Sequence, residues 1–391
     1  MITRDITTEI LKASEEYPVV TVFGPRQSGK TTLVQMSFPD KAYYSLEDPD
    51  VRLAAEMDPR GFLAQLKDGG TLDEIQRLPQ LLSYIQGIVD KTGQPSKFIL
   101  TGSHQPDLHQ AITQSLAGRT AVLTLLPFSL NELHNYHKEW QPYKLIVKGS
   151  FPRLHHRKLQ HERFFNGYFQ TYVERDVRAL INLKDLSRFQ QFMILLAGRI
   201  GQVINYSSLS NDIGVSATTI KNWLSVLKAS YVVFELPPFF ENIRKRVVKS
   251  PKIYFTDTGL ASFLLGIRTA SQAARDRLRG GLYENLIILE ILKSRYNRGI
   301  RPELYFFRDS HGNEVDLLIR EERKLLPVEI KSSATFSPDF LKGIKMFNKL
   351  VGTRGEHGMV VYNGEQNLNV HGVRVFNPLR VSSDTEKLFS Y

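Results

Sequence analysis

The run Gly24-Pro25-Arg26-Gln27-Ser28-Gly29-Lys30-Thr31, continued by Thr32, is the stretch whose residue types most clearly specify a chemistry. It fits G-x-x-x-x-G-K-[ST] at every fixed position. The apolar stretch Tyr17–Phe23 before it reads as a buried strand, and Thr32–Met36 after it opens a helix. In that setting the glycines let successive backbone N–H groups close around β- and γ-phosphates at the positive end of the helix. Lys30 would add a point charge to those phosphates, and the Thr31 hydroxyl would ligate Mg²⁺. The motif therefore implies ATP or a related nucleoside triphosphate held with Mg²⁺.

A second set of residues suits the same chemistry. Gly70-Thr71-Leu72-Asp73-Glu74 reads as a strand ending in two carboxylates. Asp73 would hold Mg²⁺ through water, and Glu74 would polarise the attacking water as general base. Taken alone, two acidic residues at a strand end also read as the start of a helix. Phe98-Ile99-Leu100-Thr101-Gly102-Ser103 ends another strand in small polar groups, so Thr101 or Ser103 would reach the γ-phosphate or the lytic water; capping the next helix is the other reading. Arg119 stands alone before a last strand near Thr120–Leu125. In ring ATPases an arginine at that edge can reach a neighbouring subunit's γ-phosphate.

These groups must be positioned by about 140 residues in which short apolar strands (19–23, 42–45, 70–73, 97–101 and 120–125) alternate with helical segments, the pattern of a helix-covered parallel sheet. The blocks Gly24–Thr32, Leu72–Gln76, Leu100–Ser103 and Ser115–Arg119 resemble the AAA+-type ATPases of bacteria and archaea that carry a C-terminal domain of unknown function. Later blocks match too: Gln170–Val177, Thr256-Asp257-Thr258-Gly259-Leu260 and Glu314-Val315-Asp316. The resemblance implies an AAA+ P-loop ATPase core and favours Arg119 as an arginine finger, where spacing alone also allows an ordinary surface arginine. An arginine supplied by a neighbour predicts a homo-oligomer, for which a hexameric ring is one form.

The chain has 391 residues, enough for two to three domains, and a net charge of +11. That charge is uneven. Residues 141–300 hold 25 Lys and Arg against 11 Asp and Glu, a net of +14, whereas residues 1–140 hold 13 against 17. A basic middle beside an acidic start suggests a polyanion-binding surface; a merely solvated basic face is the alternative. With no cysteine, disulfides, thiolate metal sites and cysteine nucleophiles are excluded. No apolar run approaches eighteen residues and the first residues lack a signal-peptide core, so the expectation is a cytoplasmic protein with no membrane association.

Within the middle, Gln170–Leu180 reads as an amphipathic helix with a salt-bridged outer face. A helix from Phe189 to Arg199, a second over Tyr206–Ile213, a turn at Gly214-Val215 and a third helix capped by Ser216 follow the helix-turn-helix pattern. Ile220, Trp223, Leu224 and Leu227 share one face, leaving Thr218, Thr219, Lys221 and Asn222 for a DNA groove. Tyr231–Leu236 and Lys252–Phe255 would pair as a wing carrying Arg244, Lys245 and Arg246 near its tip, where cations meet phosphates without reading bases. Subunit packing is the alternative use of such a winged helix. The adjacent histidines His155 and His156, with His161, have no carboxylate in ligand register.

Toward the C-terminus, Asp316 and Glu329-x-Lys331 fall on the two arms of an apparent β-hairpin, with Glu284 on a helix upstream. Glu329 and Lys331, two apart, share a strand face. Two carboxylates there would hold Mg²⁺ against a scissile phosphate, with Lys331 orienting water or steadying the phosphorane. The set resembles the PD-(D/E)XK nuclease superfamily, with Glu284, Asp316 and Glu329 in its metal positions and Lys331 in its catalytic one. It departs from it in having Glu314-Val315 where a proline often precedes the aspartate. A domain that only grips DNA would keep the same residues.

The sequence thus predicts an α/β protein of three parts: an AAA+ ATPase domain over 1–140, a helical lid and winged helix over 141–270, and an α/β restriction-endonuclease-like domain over 271–391. The implied partners are duplex or branched DNA, bound without sequence specificity, and further copies of the chain. The alternatives are a DNA motor or switch with an inactive nuclease-like clamp, and an ATP-dependent regulator of proteins.

Overall fold

The computed structural model describes residues 2–103, 111–112, 114–134, 141–157, 159–172, 185–239, 249–355 and 357–379. They form two compact units. The first comprises Met1–Phe128 with Ala229–Tyr231 and Tyr296–Ile300; the second takes Ser129–Lys228, Val232–Arg295 and Arg301–Tyr391. The second unit therefore holds both regions that the sequence divides at residue 271.

In the first unit, strands β1 (Val19–Gly24), β2 (Ala42–Ser45), β3 (Gly70–Asp73), β4 (Phe98–Ser103) and β5 (Thr120–Thr124) form a parallel sheet of order β2-β3-β4-β1-β5. Every residue of β1 is buried, as expected of a central parallel strand covered on both faces. Its side chains alternate between two cores. Val19 and Phe23 join Leu72, Phe98 and Leu100 beneath the helix Leu81–Thr92. Val20 and Val22 join Ile6, Ile10, Leu33 and Ile99 on the opposite face. The phosphate loop leaves the C-terminal end of β1, in the middle of the sheet.

In the second unit, helices Leu186–Ala197, Tyr206–Ile213 and Ala217–Ala229 precede an antiparallel pair, β6 (Val233–Leu236) and β7 (Lys252–Phe255). Gly214 ends the middle helix with φ +74, a left-handed conformation that glycine adopts without strain. The Ser216 hydroxyl accepts from the Thr219 N–H at 3.0 Å and so starts the next helix. Ile220, Trp223, Leu224 and Leu227 are buried, with Trp223 packed edge-on against Phe189.

A six-stranded sheet of order β12-β13-β11-β10-β9-β8 completes this unit. Strands β8 (Leu304–Arg308), β9 (Glu314–Glu321) and β10 (Lys324–Lys331) run as an antiparallel meander. The helix Lys342–Val351 carries the chain back so that β11 (Met359–Tyr362) lies parallel to β10. Strands β12 (Leu368–Val370) and β13 (Val373–Phe376) form the far edge. The long helix Arg279–Asn297 precedes the sheet. The segment after β6 is stitched to β8, with the Phe239 N–H donating to Phe306 O at 2.8 Å.

Candidate functional site

The phosphate loop is shaped by its glycines. A side chain at Gly24 would place its first carbon 2.1 Å from the carbonyl oxygen of Leu125, and Gly29 caps the helix Lys30–Ser37 at φ +95. The Lys30 ammonium donates to the carbonyls of Gly24 (3.1 Å) and Pro25 (2.9 Å). Burial pushes the Lys30 pKa below the usual lysine range, while the nearby carboxylates of Glu74 and Asp73 pull it the other way. The hydroxyls of Ser28 and Ser103 are buried and have no hydrogen-bond partner among the described residues. Ser103 lies beside Gly24 in the β1–β4 register, so both orphaned groups sit at the mouth of the loop. Buried hydroxyls without partners at a phosphate loop are what a bound nucleotide would satisfy.

Asp73 ends β3 and is 3% exposed. It accepts from the Thr31 hydroxyl at 2.7 Å, from the Tyr43 hydroxyl at 2.6 Å, and from Thr101. The phosphate-loop hydroxyl and the strand-end carboxylate therefore meet, which fits the donor set expected around Mg²⁺. Thr101, read from sequence as a γ-phosphate or water contact, instead spends its proton on Asp73. Glu74 follows with φ 57 and ψ 47, a left-handed conformation uncommon outside glycine. Gln76 donates to its carboxylate.

Three residues of this site went unread in the sequence. Tyr43, on the edge strand β2, steadies Asp73; burial and the Asp73 hydrogen bond push its phenol well above the usual range. Gln76 holds Glu74. Arg4, 8% exposed, donates to Ser28 O at 2.8 Å and to Leu126 O at 2.7 Å, with its guanidinium over the Phe128 ring. It ties the back of the phosphate loop to the chain beyond β5.

Arg119 lies at the other end of the sheet. Its carbonyl accepts from the Val19 N–H, and Thr120 pairs with Val19, at the start of β1 rather than at its loop end. A six-residue strand spans about 16–20 Å, so Arg119 cannot serve the loop of its own chain. It pairs with Asp90, one nitrogen-to-oxygen contact being 3.1 Å.

On the helix Ala217–Ala229 the residues Thr218, Lys221 and Asn222 are exposed and Thr219 half-buried, opposite the apolar face. The Lys221 ammonium rests 5.4 Å from the centre of the Tyr206 ring. Arg244, Lys245 and Arg246 lie outside the described residues, as does most of Gln170–Leu180.

The C-terminal carboxylates do come together. Asp316 accepts from the Ile330 N–H at 2.8 Å and from Lys331 Nζ at 2.9 Å, and Lys331 also meets Glu329 at 2.5 Å. Glu284 meets Lys252 Nζ at 3.0 Å and the Tyr254 hydroxyl at 2.5 Å, and Glu314 meets Lys252 at 2.6 Å. Against the expectation of Mg²⁺ ligands at Glu284, Asp316 and Glu329, each carboxylate already holds an ammonium. Among the described residues no group of three or more His, Asp and Glu side chains is disposed to hold a metal ion. As arranged, this donor set does not fit a divalent cation.

Burial first, and then the Asp316 charge, push Glu329 up to about 9, while Lys331 and Lys252 outweigh burial and hold Asp316 below the usual carboxylate range. The Asp316–Glu329 pair thus keeps one proton at neutral pH. A carboxyl that binds its proton more tightly folded than unfolded adds stability below its unfolded value near 4.5, and that stability is lost as pH rises through about 9. The expected slope is up to about 1.4 kcal/mol per pH unit inside that window. Urea melts at pH 6 and 9 should show the loss in the wild type and a flatter response in Glu329→Gln. Equal slopes in the two proteins would disprove the assignment.

Three family descriptions match successive parts of the chain: an AAA domain over residues 16–134, and domains of unknown function over 140–271 (DUF8612) and 279–381 (DUF4143). The first unit is thus an α/β domain whose parallel sheet and phosphate loop resemble those of P-loop ATPase domains. The chain is similar to uncharacterized proteins of Mycobacterium bovis and Mycobacterium tuberculosis, each 29% identical over 368 residues, which is 93% of this chain and 80% of theirs. An uncharacterized protein of Haemophilus influenzae is 22% identical, covering 80% of this chain and 82% of its own length. Among solved structures, the Walker-type ATPase PABY2304 of Pyrococcus abyssi matches at TM-score 0.41 and 15% identity, over 68% of this chain and 96% of that one. AMPPCP-bound DnaA from Aquifex aeolicus matches at TM-score 0.31 and 14% identity, over 57% and 86%. No helix among the described residues is long and apolar enough to cross a membrane.

Proposed function

We propose that this chain is an ATP-hydrolysing, DNA-binding protein that acts as a homo-oligomer, its C-terminal fold gripping DNA rather than cutting it. The observation that carries the ATPase reading is the hydrogen bond from Thr31 to Asp73, with the buried Ser28 and Ser103 hydroxyls nearby lacking partners among the described residues. Mg²⁺ held by Thr31 and by Asp73 would screen the phosphate charge. Lys30 leaves the Gly24 and Pro25 carbonyls for the β- and γ-phosphates. Glu74, fixed by its backbone and by Gln76, takes a proton from the attacking water. Arg119 of a neighbouring copy meets the γ-phosphate after releasing Asp90.

The DNA reading is supported by the order helix, helix, turn, helix, antiparallel pair. The third helix offers Thr218, Lys221 and Asn222 to a groove, in the region that carries the +14 excess. For the last domain, the meander with Asp316 on β9 and Glu329 and Lys331 on β10 agrees with the PD-(D/E)XK resemblance in fold, and the ammonium-paired carboxylates favour a clamp over a nuclease.

The test is ATP turnover measured with single-stranded, duplex and four-way-junction DNA over a range of salt, with Lys30→Ala as control. DNA should stimulate turnover and the effect should fall steeply with salt. Lys221→Ala should weaken binding to all sequences alike and lower the salt slope by about one ion. Absence of stimulation and of binding at low salt would favour the protein-regulator reading. Nicking with Mg²⁺ or Mn²⁺ that Asp316→Ala abolishes would restore the nuclease.

A further inference from the structure

We propose that Lys252 is a built-in counter-ion that occupies the C-terminal carboxylate cluster and keeps divalent metal out of it. This rests on the geometry of the second unit and not on the ATPase or DNA readings. Four carboxylates gather there, from Glu284 on the long helix, Glu314 and Asp316 on β9, and Glu329 on β10. Two ammoniums serve all four: Lys252 takes Glu284 and Glu314, and Lys331 takes Asp316 and Glu329. Lys331 belongs to the same hairpin as its partners. Lys252 comes from outside, on β7, more than thirty residues before any carboxylate it touches.

Lys252 cannot easily withdraw. Its residue is 2% exposed and its backbone is paired on both sides, to Leu236 of β6 and to Val203. Its ammonium lies 5.4 Å from the centre of the Phe306 ring, on β8. Tyr254, two residues on and on the same strand face, donates to the Glu284 oxygen that Lys252 already holds. A divalent ion bound by oxygen ligands at about 2.0–2.6 Å would need those same oxygens and the same space. A monovalent ammonium tethered to a strand supplies the neutralising charge instead, and requires no ion from solution. The cluster then serves as a latch: it joins β7 to the long helix and β9.

The experiment is Mn²⁺ binding to the nucleotide-free full chain, read by electron paramagnetic resonance and by melting temperature with Mn²⁺ or EDTA. Wild type should bind no Mn²⁺ that Asp316→Asn removes, and its melting should ignore the metal through this site. Lys252→Met should gain about one Mn²⁺ per chain, lose it again in the Lys252→Met/Asp316→Asn double variant, and recover in Mn²⁺ some of the melting temperature lost in EDTA. An Asp316-dependent Mn²⁺ signal in the wild type overturns the proposal, and so does a folded Lys252→Met that takes up no extra metal. If Lys252→Met does not fold, the wild-type comparison decides alone.

Discussion

Glu74→Gln should lower ATP turnover by about 10²–10⁴-fold while leaving ATP binding nearly unchanged, the range expected when a positioned general base is removed. The amide keeps the size of the carboxylate and can still take the hydrogen bond from Gln76 if its own oxygen faces that group. What it loses is a proton acceptor beside the loop that, unlike Asp73, is not tied up by three hydroxyls. The left-handed backbone at Glu74 is set by the β3 end and the short turn Ile75–Arg77, so the substitution leaves the geometry in place. Nucleotide affinity measured by fluorescence, beside steady-state hydrolysis, separates the two effects. A variant that hydrolyses at the wild-type rate would remove Glu74 from the mechanism; one that no longer binds ATP would make it a structural residue.

Arg119→Ala should reduce turnover by as much or more, because an arginine brought to a transferring phosphoryl group is worth about 10³–10⁵ in rate. Its position at the wrong end of the sheet for its own loop makes a sharper demand. Lys30→Ala and Arg119→Ala should each be inactive alone, yet regain activity when mixed, since one chain keeps the loop and the other the arginine. Random mixing would restore up to about a quarter of the interfaces. An Arg119→Ala protein as active as wild type would end the finger role and leave the residue as the surface partner of Asp90. Inactive single variants that stay inactive after mixing would place the arginine's effect within its own chain.

Much of the first unit was legible because its signals are local. A strand whose every side chain is buried shows as an unbroken apolar run, and Val19–Phe23 is one. The glycines of the phosphate loop are demanded by backbone conformation and close approach, so they appear at fixed spacing. The apolar stripe Ile220, Trp223, Leu224 and Leu227 reports a helix face by the same logic. What stayed hidden depends on contacts across long sequence distances. Arg4 reaches Leu126, and neither neighbourhood marks the other. Tyr43 reads as one aromatic among several on a half-buried edge strand. The spacing of Lys252–Phe255 reports its pairing with Tyr231–Leu236, while the contacts of Lys252 are with Glu284 and Glu314. The carboxylates themselves were found by spacing; their counter-ions were not, because a lysine's reach carries no periodicity.

The Arg4 contacts give a segment outside the phosphate loop leverage over that loop. Ile2, Arg4 and Ile6 are all buried, and Arg4 ends on the carbonyl of Ser28 at the back of the nucleotide loop. Anything that displaces Ile2, Arg4 or Ile6 therefore acts, at one remove, on the groups that would hold phosphate. A protein in which these three side chains are disturbed would be expected to bind nucleotide poorly while its sheet remained intact.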